Sequence, residues 1–187
     1  MKLLSIRPEG GKDMHSVHVA SIAYENEEGK KKIVPVFSRR PVKKEADLSG
    51  YVSGVEAIVL DSNKRLLVAK EFRLAVNRWV YGLPTGMPEK SESYSDAACR
   101  EVSEETGVKC HAVKAFPPAY INPAESNEML VTVVCEADDC TITGSDSANE
   151  EVEASFYSVE ELKALASDSS NAFSLSLLKM IGGKNNE

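Results

Sequence analysis

The sequence predicts an α/β fold, a mixed β-sheet with helices on both sides, preceded by a small β appendage of about fifty residues. Three observations predict it. Short runs of alternating apolar residues recur along the chain and read as strands, one strong helix signal interrupts them between Ser93 and Gly107, and two more helix signals close the chain. With 187 residues the chain can bury about 70% of its unfolded surface, enough for one full core and a small appendage.

The appendage comes first. Strands are expected near Leu3 to Ile6, Val17 to Tyr24 and Lys32 to Phe37, with Glu25-Asn26-Glu27-Glu28-Gly29 as a hairpin turn. The basic, proline-broken run from Ser38 to Lys44 reads as a solvated linker. A second β region follows: Val55 to Leu60, the Asp61-Ser62-Asn63-Lys64 turn, Leu66 to Phe72, and Trp79 to Leu83. After the helix come strands near Val113 to Phe116 and Met129 to Cys135, an acidic loop from Ala137 to Glu151, and a strand from Val152 to Tyr157. Ser158-Val159-Glu160-Glu161 is the capping box of one last helix, and Ser174 to Ile181 forms the other. The expected division is an N-terminal β segment over 1–50, a main domain over 51–182 and a frayed tail over 183–187.

The central helix carries the chemistry. Ser93 is its N-cap with Asp96 three residues on, and Gly107 is suited to the left-handed position after its end, so the helix is expected from about Tyr94 to Thr106. Tyr94, Ala98 and Val102 recur every four residues as its apolar stripe, whereas Glu101 and Glu105 stand one turn apart on another face. Two carboxylates so placed repel unless a cation lies between them. Magnesium fits, as a hard cation that takes oxygen ligands at about 2.0–2.1 Å and shares itself with substrate phosphates. Arg100 and Glu104 are also one turn apart, so Arg100 is placed to orient a carboxylate, and Glu104 lies between the faces as ligand or orienter. Glu92, ahead of the helix, either folds back toward the metal or braces the loop. In that loop, Leu83 to Pro88, glycine stands where backbone turns sharply and approaches a ligand.

Composition narrows the partners. A net charge of −7 and a pI near 5.1 disfavour a nucleic-acid backbone binder and agree with a site that recruits metal before a small anion. No signal peptide, and no stretch long and apolar enough for a membrane span, is visible, so a cytoplasmic location is expected. The cysteines Cys99, Cys110, Cys135 and Cys140 include no CxxC and no zinc-type spacing with histidine, and they read as reduced, small, mostly buried residues. The three histidines are isolated and carry no expected role.

Read as one unit, the 23 residues from Gly86 to Val108, GMPEKSESYSDAACREVSEETGV, resemble the Nudix box with every defining position filled. That resemblance implies a Nudix-type α/β/α sandwich and a Mg2+-dependent hydrolase, with Mn2+ as a possible substitute. It also implies that a backbone carbonyl just before the box glycine, here that of Thr85, joins Glu101 and Glu105 around the metal.

Outside the box the chain is similar to the ADP-ribose pyrophosphatase branch over roughly residues 15 to 182. Leu67 to Arg73 resembles the branch's strand ending in an aromatic and an arginine, which implies that Arg73 contacts the diphosphate. Pro123, fifteen positions past Val108, sits at the branch's diagnostic proline, in a loop that runs to Glu128. An N-terminal β segment of this kind serves the branch in dimer exchange and in completing the partner's adenine pocket, so a homodimer is expected. The chain departs at Gly82-Leu83-Pro84-Thr85-Gly86, where the branch reads Glu-Leu-Pro-Ala-Gly, and at Ala124, where the branch has glycine. One carboxylate that the branch pattern carries is thus absent at position 82.

The resemblance implies in-line attack of water on one phosphorus of a diphosphate bridge, with two or three Mg2+ ions about 3.5–4 Å apart neutralising the attacking and leaving oxygens. ADP-ribose would give AMP and ribose 5-phosphate. In this reading Glu104 and Arg100 support catalysis and Glu150 is the base from a flexible loop, with Glu151 or Glu128 as alternatives. Pro123 and Glu128 would meet the substrate. The competing readings are another nucleotide-sugar pyrophosphatase, such as one for GDP-mannose, and a sensor that binds a nucleotide without cleaving it.

Overall fold

The computed structural model describes residues 2–8, 17–144 and 152–182. In chain order the strands are β1 (Lys2–Pro8), β2 (His18–Glu25), β3 (Lys31–Ser38), β4 (Tyr51–Leu60), β5 (Leu66–Arg73), β6 (Arg78–Gly82) and β7 (Thr85–Gly86). Helix α1 (Tyr94–Thr106) is followed by β8 (Lys109–Ala115), β9 (Ala119–Tyr120), β10 (Glu128–Asp139) and β11 (Val152–Tyr157). Helix α2 (Val159–Ser167), β12 (Ala172–Phe173) and helix α3 (Leu175–Gly182) complete it. The chain falls into two compact units: Met1–Ser53 with Pro118–Leu130, and Gly54–Pro117 with Val131–Glu187.

In the first unit β1, β2 and β3 form an antiparallel sheet in that order. The β2–β3 turn is set by Asn26, whose Oδ1 accepts from the N–H groups of Glu28 and Lys30 at 3.1 and 2.8 Å, the short-range bonding that favours asparagine in turns. Pro35 lies in the edge strand β3, where its missing N–H costs least. Ala20 and Ile22 of β2 bury against Val42 and Leu48, so part of the expected linker is packed. Asn127 ties the later segment to the earlier one by donating to the carbonyls of Asp47 and Ser49 at 2.9 and 3.3 Å.

Strands β4 to β12 bond in the order β12-β6-β5-β4-β10-β8, with β11 on β5, β7 on β4 and β9 on β10. The β12–β6 pair is parallel while β5 is antiparallel to both β6 and β11, so the sheet is mixed. Because strand side chains alternate faces, Leu66 and Val68 of β5 pack with Leu162 of α2 and with Leu177 and Ile181 of α3. The intervening Leu67 and Ala69 are buried on the other face. Helix α1 packs beside β7, β8 and β11, and α2 and α3 pack on each other and on β11 and β6.

Helix α1 has the expected bounds. Ser93 Oγ accepts from the N–H of Asp96 at 3.1 Å, and Gly107 takes φ +79°, where an added Cβ would run into the Thr143 side chain. The Asp96 carboxylate accepts from the Ser93 hydroxyl at 2.6 Å. The apolar stripe needs correction, since Tyr94 is 40% exposed and the buried residues are Ala97, Ala98, Val102 and Thr106. Thr106 extends the stripe because its hydroxyl donates to the Val102 carbonyl at 2.6 Å and so enters the core satisfied. Strand β10 runs on to Asp139, past the expected start of the acidic loop, because it pairs with a β8 that begins at Lys109 rather than Val113.

Candidate active site

The site is assembled within the second unit from α1, the loop before it, β7, the middle of β4 and the end of β5. Arg100 organises the loop side. Its Nε and Nη2 donate to the two oxygens of Glu92 at 2.9 and 3.0 Å, Nη2 also to the Met87 carbonyl at 3.0 Å, and Nη1 to Glu101 and Glu104 at 2.9 Å each. Those bonds engage all five guanidinium N–H donors. Arg100 holds the Glu92 carboxyl below its ordinary range, and Glu92 also accepts from the N–H of Glu89 at 2.8 Å. Of the two placements open to Glu92, the structure shows the brace.

Gly86 lets the loop close onto the helix. A Cβ there would fall on the Glu101 carboxylate, so no larger residue fits without moving the loop or the acid. Next to it, the Thr85 N–H donates to Glu105 Oε1 at 3.4 Å, and β7 pairs with β4 so that Glu56 stands opposite Thr85. Thr85 is held further by its hydroxyl, which donates to the Leu83 carbonyl at 2.8 Å.

The carboxylates are short of positive charge. Burial pushes the Glu105 carboxyl up to about 8; the Thr85 N–H opposes this, Glu101 and Glu71 add repulsion, and Arg73 offsets part of it. Burial likewise raises Glu101 against the pull of Arg100. Such a set of partly buried, under-compensated acids is the donor chemistry of a hard divalent cation, and the residues fit Mg2+.

Arg73 stands at the end of β5, half exposed, with Nη2 2.6 Å from Glu71 Oε2. The structure thus brings Arg73, Thr85, Arg100, Glu101, Glu104 and Glu105 into one neighbourhood. Pro123 and Glu128 belong to the first unit, where Glu128 Oε1 accepts from the Arg39 N–H at 2.7 Å and from the Tyr51 hydroxyl at 3.2 Å. Glu150 and Glu151 lie outside the described residues.

Sequence reasoning missed two acids. The strand motif Leu67 to Arg73 does not single out Glu71, whose charge acts on Glu105. Glu56 is buried on β4 and accepts from Thr132 Oγ1 at 2.8 Å. The signal for Glu56 was a lone carboxylate inside the apolar run Val55 to Leu60, since glutamate is rarely buried without a reason.

A family model described as the NUDIX domain matches residues 50–176. The chain belongs to the Nudix family. Among Nudix relatives it is 25% identical over 137 residues to an uncharacterized Nudix hydrolase of Schizosaccharomyces pombe, covering 73% of this chain and 66% of that protein. It is 34% identical to the ADP-sugar pyrophosphatase of Mus musculus over 45% of this chain and 36% of the relative. It is 30% identical to the ADP-ribose pyrophosphatase of Saccharomyces cerevisiae over 48% and 41%. The matched stretches therefore span about one third to two thirds of these Nudix relatives. A solved structure titled as an ADP compounds hydrolase superposes with a TM-score of 0.65 over 90% of this chain and 83% of its own, at 16% identity, and so shares the fold. No described helix is long and apolar enough to cross a membrane.

Proposed function

We propose that the chain is a Mg2+-dependent hydrolase of the diphosphate bond in a nucleoside diphosphate linked to another moiety, with ADP-ribose, cleaved to AMP and ribose 5-phosphate, as the first candidate. The observation that carries this is the largely buried Glu105 carboxyl, pushed up to about 8 among Glu101 and Glu71, with Arg73 beside it and the Thr85 loop folded over it. The names of the mouse and budding-yeast relatives support the substrate class.

In this reading Glu101, Glu105 and the Thr85 carbonyl hold the cation, which supplies Lewis-acid neutralisation of phosphate charge and lowers the pKa of bound water. Arg100 fixes the Glu101 and Glu104 carboxylates so that they need no rearrangement during the reaction. Arg73 offers a half-exposed guanidinium, suited to bidentate recognition of phosphate. Glu71 adds a carboxylate near Glu105, which bears on the acid that the branch has at position 82 and this chain lacks. Glu150 serves as the base that takes the proton from water. Glu128 is the weaker alternative because its Oε1 already accepts two hydrogen bonds. Pro123 shapes the loop over the terminal sugar.

The test is a panel of ADP-ribose, GDP-mannose, other nucleoside diphosphate sugars and oxidised deoxynucleoside triphosphates with Mg2+, products identified by mass spectrometry. AMP from ADP-ribose is the expected result, and Arg73→Ala should raise KM more than it lowers kcat, as for a contact made equally in ground and transition states. Far more efficient hydrolysis of the triphosphates would sink the branch assignment, and binding without any release of product would favour a sensor.

The same reading includes a homodimer built through the first unit, whose β3 leaves Ile33 70% and Phe37 42% exposed. Light scattering on the full chain should give twice the chain mass of 20.4 kDa, and a monomer at assay concentration with full activity would exclude it.

A further inference from the structure

We propose that Cys99, Cys110 and Cys135 form a thiolate site for one thiophilic d10 cation, with Zn2+ as its occupant. The three residues come from α1, β8 and β10, and their Sγ atoms all lie within 4.8 Å of one another. All three are free thiols, Cys135 fully buried and the other two partly so.

Distance favours a metal over a disulfide. A tetrahedral Zn2+ with Zn–S bonds of about 2.3 Å sets its sulfur ligands roughly 3.8 Å apart, so these thiols need to close by about 1 Å or less. Strand register acts against direct coupling of Cys110 to Cys135. Cys110 stands opposite Ala137 and Cys135 opposite Ala112, so the two cysteines are diagonal neighbours on adjacent antiparallel strands. Diagonal pairs are about 7–8 Å apart, at or beyond the roughly 7 Å that a disulfide spans without backbone movement. A cation held among the three sulfurs needs no such approach of the two backbones. Three thiolates leave the fourth position of the ion to water.

The site is chemically distinct from the carboxylate one. Cys99 precedes Glu101 by two residues, about 200° around the helix, so soft sulfur ligands and hard oxygen ligands occupy opposing faces of α1. Soft donors select Zn2+ or Cu+ and leave Mg2+ to the carboxylates. The cation would clamp α1 to β8 and β10. It was not legible from spacing because the ligands are eleven and twenty-five residues apart, joined by strand register instead of a local motif.

The experiment titrates Co2+ into the reduced full-length protein under anaerobic conditions with Mg2+ in excess, then displaces it with Zn2+. The expected result is a sulfur-to-Co2+ charge-transfer band that saturates at one Co2+ per chain and is abolished by an equivalent of Zn2+. The band should be lost in Cys110→Ser and Cys135→Ala, each checked for folding by circular dichroism, and retained in Cys140→Ser and Glu105→Gln. Absence of the band in wild-type protein whose thiols are shown to be reduced overturns the proposal without any variant. So does a band that survives in Cys135→Ala, or a peptide map showing a disulfide among the three cysteines as the isolated form.

Discussion

Glu105→Gln should lower turnover of the Mg2+-supplied protein by about 10²–10³-fold or more and leave the fold intact. A bound metal supplies several kcal/mol of charge stabilisation in the transition state, and each 1.36 kcal/mol is tenfold in rate. Gln keeps the shape and the acceptor for the Thr85 N–H but cannot offer an anionic ligand. Glu101→Gln should behave similarly. Metal-free stability provides the control. Glu105 has a folded pKa of about 8, above its ordinary 4.5, so its contribution to the stability of the metal-free protein is fully present below 4.5 and is lost as pH rises toward 8. Metal-free Glu105→Gln should therefore melt higher than metal-free wild type, by a margin that grows over that window and then levels off. Near-normal turnover in both variants would refute the metal assignment, and a lower melting temperature for Glu105→Gln at pH 8 would refute the electrostatic account.

Leu162→Ala should have the opposite signature, a large loss of stability with the turnover of each folded molecule unchanged. Leu162 is the one buried residue of the nine-residue α2, and it packs into the cluster of Leu66, Val68, Leu83, Leu177 and Ile181. Emptying a buried leucine site costs about 2–5 kcal/mol, the removed methyl groups plus the cavity they leave. Against a typical total of about 5–15 kcal/mol that is a large fraction, and it corresponds to a fall of roughly 5–20 °C in Tm for a domain of this size. Urea denaturation with an unchanged m-value would confirm it, and a change under about 0.5 kcal/mol would show that α2 is not anchored there.

The local features of the fold were legible. Helix α1 could be bounded because an N-cap serine, a four-residue apolar repeat and a terminal glycine each act within a few residues, and β11 and the α2 capping box follow the same logic. What depends on distant partners was not legible. The two-residue strands β9 and β12 have no periodicity of their own and exist through pairing with β10 and β6. Tyr94 fits the stripe by spacing, but only the packing around α1 decides that position 94 faces outward while Thr106 is buried. The candidate site divides the same way: Glu101, Glu105 and Arg100 follow from the periodicity of one helix, whereas Glu56 and Glu71 reach the same neighbourhood from β4 and β5. Only sheet register could have placed them.

The guanidinium of Arg100 spends every donor on acceptors from four residues, Glu92, Glu101, Glu104 and Met87. Substitutions among these positions are consequently epistatic: the cost of changing one acid depends on which others remain, because members of one hydrogen-bonded network do not combine additively. Losing Glu104, which is half exposed, leaves Arg100 with its remaining ties, whereas losing Arg100 strands three carboxylates at once. Sequence drift through this loop is therefore asymmetric. Arginine has to be the last member of the set to change, and lysine is no intermediate step, since a point ammonium cannot reproduce the planar fork.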